Sequence, residues 1–362
     1  MSHAKIVQHS FGDLGSGGPI TALGHVLSSR LAEKYDFLPM HQGQPAGGFD
    51  VQRLRQWVSY LRRTKPDLVH IRGLGNEGFH GALAAKLAGC PRVLVSIHGT
   101  IRDLHHVTRS VRRQVLVEVI EPATLRLATH LATVCESAAQ RDFLDPYRAK
   151  IAGVIPNGVF VPDEEHPLRS VARAELGISD DTLACVVVGR LSIEKGHLVL
   201  ADAMRRLPQR GEKIKLLLVG DGPDRQVIEH AYAEVPELDV LFLGRRLDVT
   251  AILQASDLFL FPTLHENLSN ALLEGMAAGL PVIASAVGGN IEVLKRGGGV
   301  LVPASDPTSL ADSMVTLLGS ASLRAHYGGE ARKVVQHHYT VDHMISGLDE
   351  LYERILAEET LR

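Results

Sequence analysis

Hydrophobic residues along the chain form short runs that alternate with longer segments in which apolar positions recur every three or four residues. The short runs end in Gly, Pro or Asn and are rich in β-branched residues, which is typical of parallel strands buried on both faces. In the first half they predict strands at Ile6–His9, Leu68–Ile71, Val93–Ile97, Leu131–Val134 and Ala152–Ile155. In the second half they predict strands at Ala184–Val188, Lys215–Val219, Val240–Leu243, Leu258–Phe261, Val282–Ala284 and Val300–Val302.

The segments between the strands have the period of helices. We predict helices at Pro19–Ala32, Gly81–Leu87, His197–Arg206, Asp224–Glu234, Val249–Gln254, Asn270–Ala278 and Asn290–Leu294. Strands that alternate with helices predict two doubly wound parallel sheets, with ligand beyond the carboxyl ends of the strands, in the crevice between two domains.

The 362 residues fit two domains of ordinary size. We predict an N-terminal domain at residues 1–165 and a C-terminal domain at residues 166–342, joined by a proline-rich linker at Pro156–Pro167. An amphipathic helix at residues 343–362 has no strand after it, and we expect it to pack back on the N-terminal domain.

Composition narrows the class of protein. Apolar residues make up 45% and charged residues 22% of the chain, as in an ordinary globular protein. Aromatic residues make up only 5%, which argues against a nucleic-acid platform built on base stacking. We expect no signal peptide, and we find no apolar run long enough for a membrane helix and no C-x-x-C pair. These features predict a cytoplasmic protein with buried thiols.

Charge is distributed unevenly between the halves. Residues 1–165 carry a net charge of +4 and the remainder carries −7. A basic, amphipathic segment in the first half contains Arg109, Arg112, Arg113, Val115, Leu116, Val119 and Ile120. The segment either makes a peripheral contact with the anionic inner surface of the membrane, or it is a helix that packs against the core and leaves its basic end in solvent.

Three segments carry candidate chemistry. Gly17 and Gly18 open the first helix, where backbone N–H groups can approach a phosphate, although a tight turn without ligand fits equally well. The segment Gly189–Gly196 follows a strand and presents Arg190 and Lys195 between glycines, as a cradle for a diphosphate.

The third segment follows the strand Leu258–Phe261. Glu266 lies in the loop, Ser269 or Asn270 caps the next helix, and Glu274 lies within that helix. The free N–H groups of the helix start suit a phosphate. Carboxylates suit sugar and ribose hydroxyls, because they accept charge-assisted hydrogen bonds.

The pattern G-R-L-x-x-x-K-G, followed by E-x7-E and L-L-E-x-M-A-x-G-x-P-V, resembles the family-4 retaining glycosyltransferases of GT-B fold. Further segments similar to that family occur in the same order, namely Gly17-Gly18, His98-Gly99-Thr100, Ile155–Val159, Val219–Pro223, Phe242–Arg245 and Gly288-Gly289 with Glu292. The resemblance implies two Rossmann-like domains facing across a cleft. It also implies transfer of a sugar from a nucleotide-diphosphate sugar, with UDP favoured over GDP, to a glycan, glycolipid or small-molecule acceptor.

The resemblance also implies roles for residues. Arg190 and Lys195 would stabilise the leaving diphosphate, Glu274 would bind ribose, and Glu266 would bind the donor sugar together with His98. The remaining contacts implied for the nucleotide, the diphosphate or the sugar are Gly17, Gly18, Gly189, Gly244, Arg245, Asn267, Leu268, Ser269 and Asn270. Many family members read E-G-F-G where this chain reads Glu266-Asn267-Leu268-Ser269, which puts the identity of the donor in doubt.

The chain contains no D-x-D sequence, and its adjacent histidine pairs lack metal-ligand spacing. We therefore expect turnover without a metal or other cofactor. Two alternatives remain open: a nucleotide-sugar epimerase of the same fold, and a regulator that binds sugar nucleotides without turnover.

Overall fold

The structure is a computed structural model that describes residues 3–12, 18–43, 48–103, 110–163, 168–208, 213–235 and 237–358. It divides into two compact units: unit 1 contains Met1–Gly158 and Val341–Arg362, and unit 2 contains Val159–Thr340. The first boundary lies before the predicted one at residue 165, because Val159 already forms a parallel β-bridge with Thr340 of unit 2.

Each unit contains one parallel sheet of six strands. In unit 1 the order is β2-β1-β3-β4-β5-β6, with β1 at Lys5–Phe11, β2 at Asp36–Gln42, β3 at Leu68–Arg72, β4 at Val93–Ile97, β5 at His130–Thr133 and β6 at Ile151–Val154. In unit 2 the order is β12-β11-β10-β7-β8-β9, with β7 at Thr182–Val188, β8 at Lys213–Val219, β9 at Asp239–Gly244, β10 at Leu258–Phe261, β11 at Val282–Ser285 and β12 at Gly299–Val302. The predicted pair of doubly wound α/β folds is confirmed.

Helices cover the sheets. In unit 1 they are α1 at Gly18–Leu27, α2 at Leu31–Lys34, α3 at Val51–Thr64, α4 at Asn76–Ala88, α5 at Val111–Val115, α6 at Glu121–Leu127 and α7 at Glu136–Ala139. In unit 2 they are α8 at Leu168–Glu175, α9 at His197–Met204, α10 at Arg225–Ala233, α11 at Val249–Ala255, α12 at Asn270–Ala277, α13 at Gly288–Leu294, α14 at Pro307–Leu318 and α15 at Ala321–His338. The last helix, α16 at Val341–Ala357, returns to unit 1. A π-helical turn at Leu116–Ile120 joins α5 to α6, and 3₁₀ turns occupy Ile101–Asp103, Asp142–Lys150 and Ile193–Lys195.

Strand β2 was not predicted from the sequence. It contains Pro39 in its centre and polar residues at both ends. β2 pairs only with β1 and forms the edge of its sheet. Proline is tolerated on an edge strand, because the missing N–H faces away from the ladder. The hydrophobic pattern that identifies doubly buried strands is therefore absent from this one.

The predicted helix at Pro19–Ala32 is wrong as a single element. Helix α1 ends at Leu27. The N–H of Ser28 still bonds to the carbonyl of Gly24, but that of Ser29 bonds to Val26, and the hydroxyls of Ser28 and Ser29 bond to the same two carbonyls. The hydroxyl of Ser29 also accepts a hydrogen bond from the N–H of Leu31, which starts α2. Serine side chains compete with helical backbone pairing in this way.

Helix α16 completes the core of unit 1. Its Leu351 and Tyr352 are fully buried among residues of β1, β3 and β4. The hydroxyl of Tyr352 accepts a hydrogen bond of 2.9 Å from Gln8 Nε2 and lies 2.6 Å from His70 Nδ1. The described ranges contain no helix that is both long enough and apolar enough to cross a bilayer.

Candidate active site

The candidate site in unit 2 is built on the ends of two neighbouring strands. β7 ends at Val188 and leads into Gly189 and Arg190, and β10 ends at Phe261 and leads into the loop that carries Glu266. β7 pairs with β10 in parallel. Because the carboxyl ends of parallel neighbours meet at one edge of the sheet, two segments distant in sequence form one surface.

Lys195 and Glu266 form an ion pair at this edge. Lys195 Nζ donates a hydrogen bond of 2.6 Å to Glu266 Oε2, across 71 residues of sequence. The side chains are 21% and 16% exposed, so the pair is accessible but shielded from bulk water. The ammonium also lies 5.7 Å from the centroid of the Phe261 ring, within the range of a cation–π contact. The predicted diphosphate cation and the predicted sugar carboxylate are therefore each other's partners in the structure.

Arg190 presents a different environment. Its side chain is exposed and makes no ion pair within the described part of the chain, while its backbone is held in place. His197 Nε2 donates a 3.2 Å hydrogen bond to the Arg190 carbonyl. Burial lowers the pKa of His197 to about 4, so the imidazole is neutral at pH 7 and acts as a fixed donor. His197 was not predicted as a site residue, and its one signal in the sequence is its place at the start of a helix beside Gly196.

Glycines hold the site loops together by close backbone contact. A Cβ atom added to Gly196 would lie 1.8 Å from the carbonyl oxygen of Pro262, and one added to Gly289 would lie 1.8 Å from that of Asn267. Gly196 also has a φ of +74°, which disfavours any other residue. The loop after β7 and the start of α13 are thus both pressed against the loop that carries Glu266.

Hydrogen bonds reinforce this contact between the loops. The N–H of Leu264 and the hydroxyl of Thr263 both donate to the carbonyl of Glu194, at 2.8 and 3.1 Å. The position of Lys195 relative to Glu266 therefore follows from backbone pairing and does not depend on their ion pair alone.

Helix α12 supplies the second carboxylate. Ser269 is its N-cap residue, but the Ser269 side chain makes no cap bond to the first turn, and Asn270 is the first helical residue. Glu274 lies one turn further on and is partly buried, and its side chain makes no hydrogen bond within the described ranges. Burial raises the pKa of the Glu274 carboxyl above its ordinary value of 4.5. Asn267 and Leu268, between the two carboxylates, are buried.

The remaining predicted residues of unit 2 lie at other strand ends. Gly244 ends β9 with a φ of +63°, and its carbonyl accepts a 2.8 Å hydrogen bond from the N–H of Gly220. Arg245 follows it and is exposed. A Cβ on Gly220 would lie 1.9 Å from the carbonyl oxygen of Gly189, so the ends of β7 and β8 are also in close contact.

His98 and the glycine-rich turn belong to unit 1. His98 follows β4, and burial together with the charge of Arg72 lowers its pKa to about 3. Gly18 is the first residue of α1, and Gly17 lies outside the described residues. Arg72, a buried residue beside His98, was not predicted as a site residue, because the hydrophobic pattern ended strand β3 at Ile71. No group of three or more His, Cys, Asp or Glu residues in the described ranges is arranged to hold a metal ion.

Comparison with known proteins covers both units. A family model described as Glycosyltransferase Family 4 matches residues 28–161, and one described as Glycosyl transferases group 1 matches residues 182–320. A UDP-Gal:alpha-D-GlcNAc-diphosphoundecaprenol alpha-1,3-galactosyltransferase of Escherichia coli is 28% identical over 74% of this chain and 70% of its own length. The 2-deoxystreptamine glucosyltransferase of Streptomyces kanamyceticus is 29% identical over 84% of this chain and 82% of its own length.

Solved structures show the same fold. HepE of Anabaena, in complex with UDP and glucose, superposes with a TM-score of 0.80 at 19% identity, over 97% of this chain and 100% of its own. WaaG, a glycosyltransferase involved in lipopolysaccharide biosynthesis, superposes with a TM-score of 0.73 at 18% identity, over 98% of this chain and 100% of its own.

Glu274 generates a prediction about stability. Its raised pKa means that the folded protein binds this proton more tightly than the unfolded chain does, so the contribution to stability is complete below pH 4.5 and is lost as the pH rises through the folded pKa. Glu274→Gln removes the buried charge. We expect a higher Tm than wild type at pH 7 and an equal Tm at pH 4, measured by differential scanning fluorimetry.

The exposed Glu175 in the same unit provides the control, since Glu175→Gln should leave the Tm unchanged at both pH values. A lower Tm for Glu274→Gln at pH 7 would mean that the ionised carboxylate makes a stabilising contact, contrary to this account.

Proposed function

Because the chain belongs to the family-4 glycosyltransferases of GT-B fold, we propose that it transfers a sugar from a nucleotide-diphosphate sugar to a glycan, glycolipid or small-molecule acceptor. UDP-sugars are the first choice of donor and GDP-sugars the second. The observation that carries the proposal is the contact between Lys195 and Glu266 on the loops of adjacent strands. Arg190 belongs to the loop of Lys195, and Glu274 belongs to helix α12, which follows Glu266. The relative from Anabaena, whose structure contains UDP and glucose, supports a UDP donor.

Arg190 and Lys195 act on the leaving group. As the bond between the sugar and the diphosphate breaks, negative charge grows on the diphosphate, and a cation held in place stabilises that charge most. One such donor contributes about 3–4 kcal/mol to the transition state. Arg190 needs no rearrangement to bind, because its guanidinium is exposed and has no acidic partner among the described residues.

Lys195 becomes available by exchange of partners. A diphosphate carries more charge than one carboxylate and competes for the ammonium that Glu266 now holds at 2.6 Å. Movement of the ammonium toward the diphosphate frees the Glu266 carboxylate to accept hydrogen bonds from hydroxyls of the donor sugar. The arrival of donor thus converts an internal ion pair into two contacts with the ligand.

We propose that Glu274 binds the ribose hydroxyls. Its carboxylate makes no hydrogen bond within the described ranges and is held in a partly buried position where ionisation is disfavoured. Two hydroxyl donors would supply the hydrogen bonds that favour the ionised form. His98 remains neutral at pH 7 and contacts the reacting sugar as a hydrogen-bonding group and not as a charged acid.

A donor panel tests the proposal. Hydrolysis and binding of UDP-, GDP-, ADP- and TDP-sugars are measured with the full chain, and we expect UDP-sugars to be bound and slowly hydrolysed. Lys195→Ala should lower kcat by about 10²–10³ because it removes one donor to the leaving group. Lys213→Ala, which removes an exposed lysine paired with Asp181 in the same unit, should leave kcat unchanged.

Three outcomes oppose the proposal. Full kcat in Lys195→Ala would remove the diphosphate role. Interconversion of donor sugars without acceptor would indicate an epimerase, and tight donor binding without hydrolysis or transfer would indicate a regulator.

The same assay addresses the metal and the stereochemistry. We propose that turnover is independent of a divalent metal, because cations of the chain and the start of α12 take the place of a metal, and that the anomeric configuration of the donor sugar is retained. Rates in EDTA should equal rates in buffer, and NMR of the product should show the configuration of the donor. A loss of activity in EDTA that a divalent metal restores, or an inverted product, contradicts this part of the proposal.

A cytoplasmic protein that acts on a lipid-linked acceptor would work at the membrane surface, and unit 1 presents a surface suited to that. Val111, Val115 and Val119 are 77%, 46% and 56% exposed at a spacing of four residues, next to the exposed Arg112. Exposed apolar side chains flanked by arginines bind anionic lipid interfaces. Arg109 of the same segment lies outside the described residues.

We expect the protein to sediment with vesicles that contain phosphatidylglycerol and not with phosphatidylcholine alone. Replacement of Arg109, Arg112 and Arg113 by glutamine should abolish sedimentation and leave donor hydrolysis unchanged. Equal sedimentation of the triple variant would assign the segment to packing within the protein.

A further inference from the structure

Unit 1 contains a buried arginine that has no acidic partner in the part of the chain that the structure describes. Arg72, the last residue of β3, is 3% exposed. Its Nη1 donates a 3.1 Å hydrogen bond to the carbonyl of His9, and this is the guanidinium's one hydrogen bond within the described ranges. A guanidinium stays protonated at neutral pH and offers five N–H donors, so most of its donor capacity is unused here.

Arg72 lines a pocket at the carboxyl ends of neighbouring strands. The wall on the sheet side includes Ser96 at the end of β4, His98 just after it, Thr133 at the end of β5 and Asn157 after β6. The opposite wall is apolar and comes from α1 and α16, through Ala22, Val26, Met344 and Leu348. The strand ends are where α/β sheets bind ligands.

Among the residues that the structure describes, Arg72 gives this pocket a positive charge that no acidic residue of its lining compensates. The described lining contains neither aspartate nor glutamate. Burial and the charge of Arg72 together lower the pKa of His70 and that of His98, and they lower the pKa of His9 to about 3. All three imidazoles are therefore neutral at pH 7. Burial also lowers the pKa of Arg72, which shows that the surroundings disfavour its charge.

Burial of a charge without a partner costs free energy of folding, and a bound ion of opposite sign offsets that cost. The apolar wall makes the attraction stronger, because a low local dielectric screens charges weakly. The pocket volume of about 30 Å³ is far below the several hundred Å³ that a whole ligand occupies. It suits one functional group of a larger molecule that extends away from the strand ends.

We propose that this pocket binds an oxyanion group of the acceptor, a carboxylate or a phosphate, through the guanidinium of Arg72. The planar fork of an arginine matches two oxygens of either group, which a lysine at the same place does not. His98, Thr133 and Asn157 border the same space and supply polar contacts around the anion. The assignment of the anion to the acceptor rests on the proposed function, whereas the anion site itself does not.

The test uses the full chain with Arg190→Ala and Lys195→Ala, which removes the cations that would bind phosphate in unit 2. Inorganic phosphate and acetate are titrated separately, with Trp57 fluorescence and the Tm as readouts. Trp57 is the one tryptophan of the chain, and its ring lies 5.5 Å from that of His9, whose carbonyl binds Arg72. We expect saturable binding and a rise in Tm with at least one anion. The anion that binds more tightly identifies the group as a phosphate or a carboxylate.

Arg72→Met in this background should weaken anion binding by about tenfold or more, a change that corresponds to loss of a charge-assisted contact. The Tm without anion should be equal or higher, since an unpaired buried charge has been removed. Arg126→Met, at an exposed arginine of unit 1, should bind as the parent does. Arg72→Lys keeps the charge without the fork and should bind more weakly than the parent.

Absence of saturable binding in the parent, or equal affinity in Arg72→Met, overturns the proposal. A lower Tm for Arg72→Met, with anion binding unchanged in Arg72→Lys, would assign Arg72 to the support of β1 instead. The titration contains no nucleotide sugar, so failure of every donor in the panel would remove the proposed function and leave this result standing. UDP binding by the chain that carries Arg72→Met alone should match wild type.

Discussion

Parallel pairing of β7 with β10 is the constraint on which the candidate site depends. It places the loops after the two strands at one edge of the sheet, and the glycines at positions 196 and 289 allow the backbones to come closer than any side chain permits. Lys195 and Glu266 then meet across 71 residues of sequence. Without that pairing, the same two residues would be ordinary charges on separate loops.

Both units contain charged groups that the fold itself leaves unsatisfied. Glu274 is partly buried and its side chain makes no hydrogen bond within the described ranges. Arg72 is buried beside neutral histidines, in a pocket whose described lining contains no carboxylate. Such groups gain most from a ligand of complementary chemistry. This is the basis of the two proposals, in which Glu274 binds hydroxyls of a sugar nucleotide in unit 2 and Arg72 binds an oxyanion of the acceptor in unit 1.

Sequence patterns predicted the elements that are buried on both faces and failed where tertiary context decides. The strands at Val93–Ile97 and Leu258–Phe261 were predicted with their observed bounds, because continuous apolar runs report burial directly. The edge strand β2 was missed, since a strand with one neighbour has no need of such a run and accommodates Pro39. The break after Leu27 depends on serine hydroxyls that compete with helical pairing, which periodicity does not register.

The sequence alone determined the fold class and the order of the motifs, because the spacing of glycines, cations and carboxylates at strand ends is read directly from the sequence. Only the tertiary structure decided which of these groups touch. It joined Lys195 to Glu266, fixed the Arg190 carbonyl through His197, and returned the terminal helix to unit 1. It also showed that Arg72 is a buried charge without an acidic partner among the described residues. Burial and partnership depend on residues far away in sequence, so no local pattern contains them.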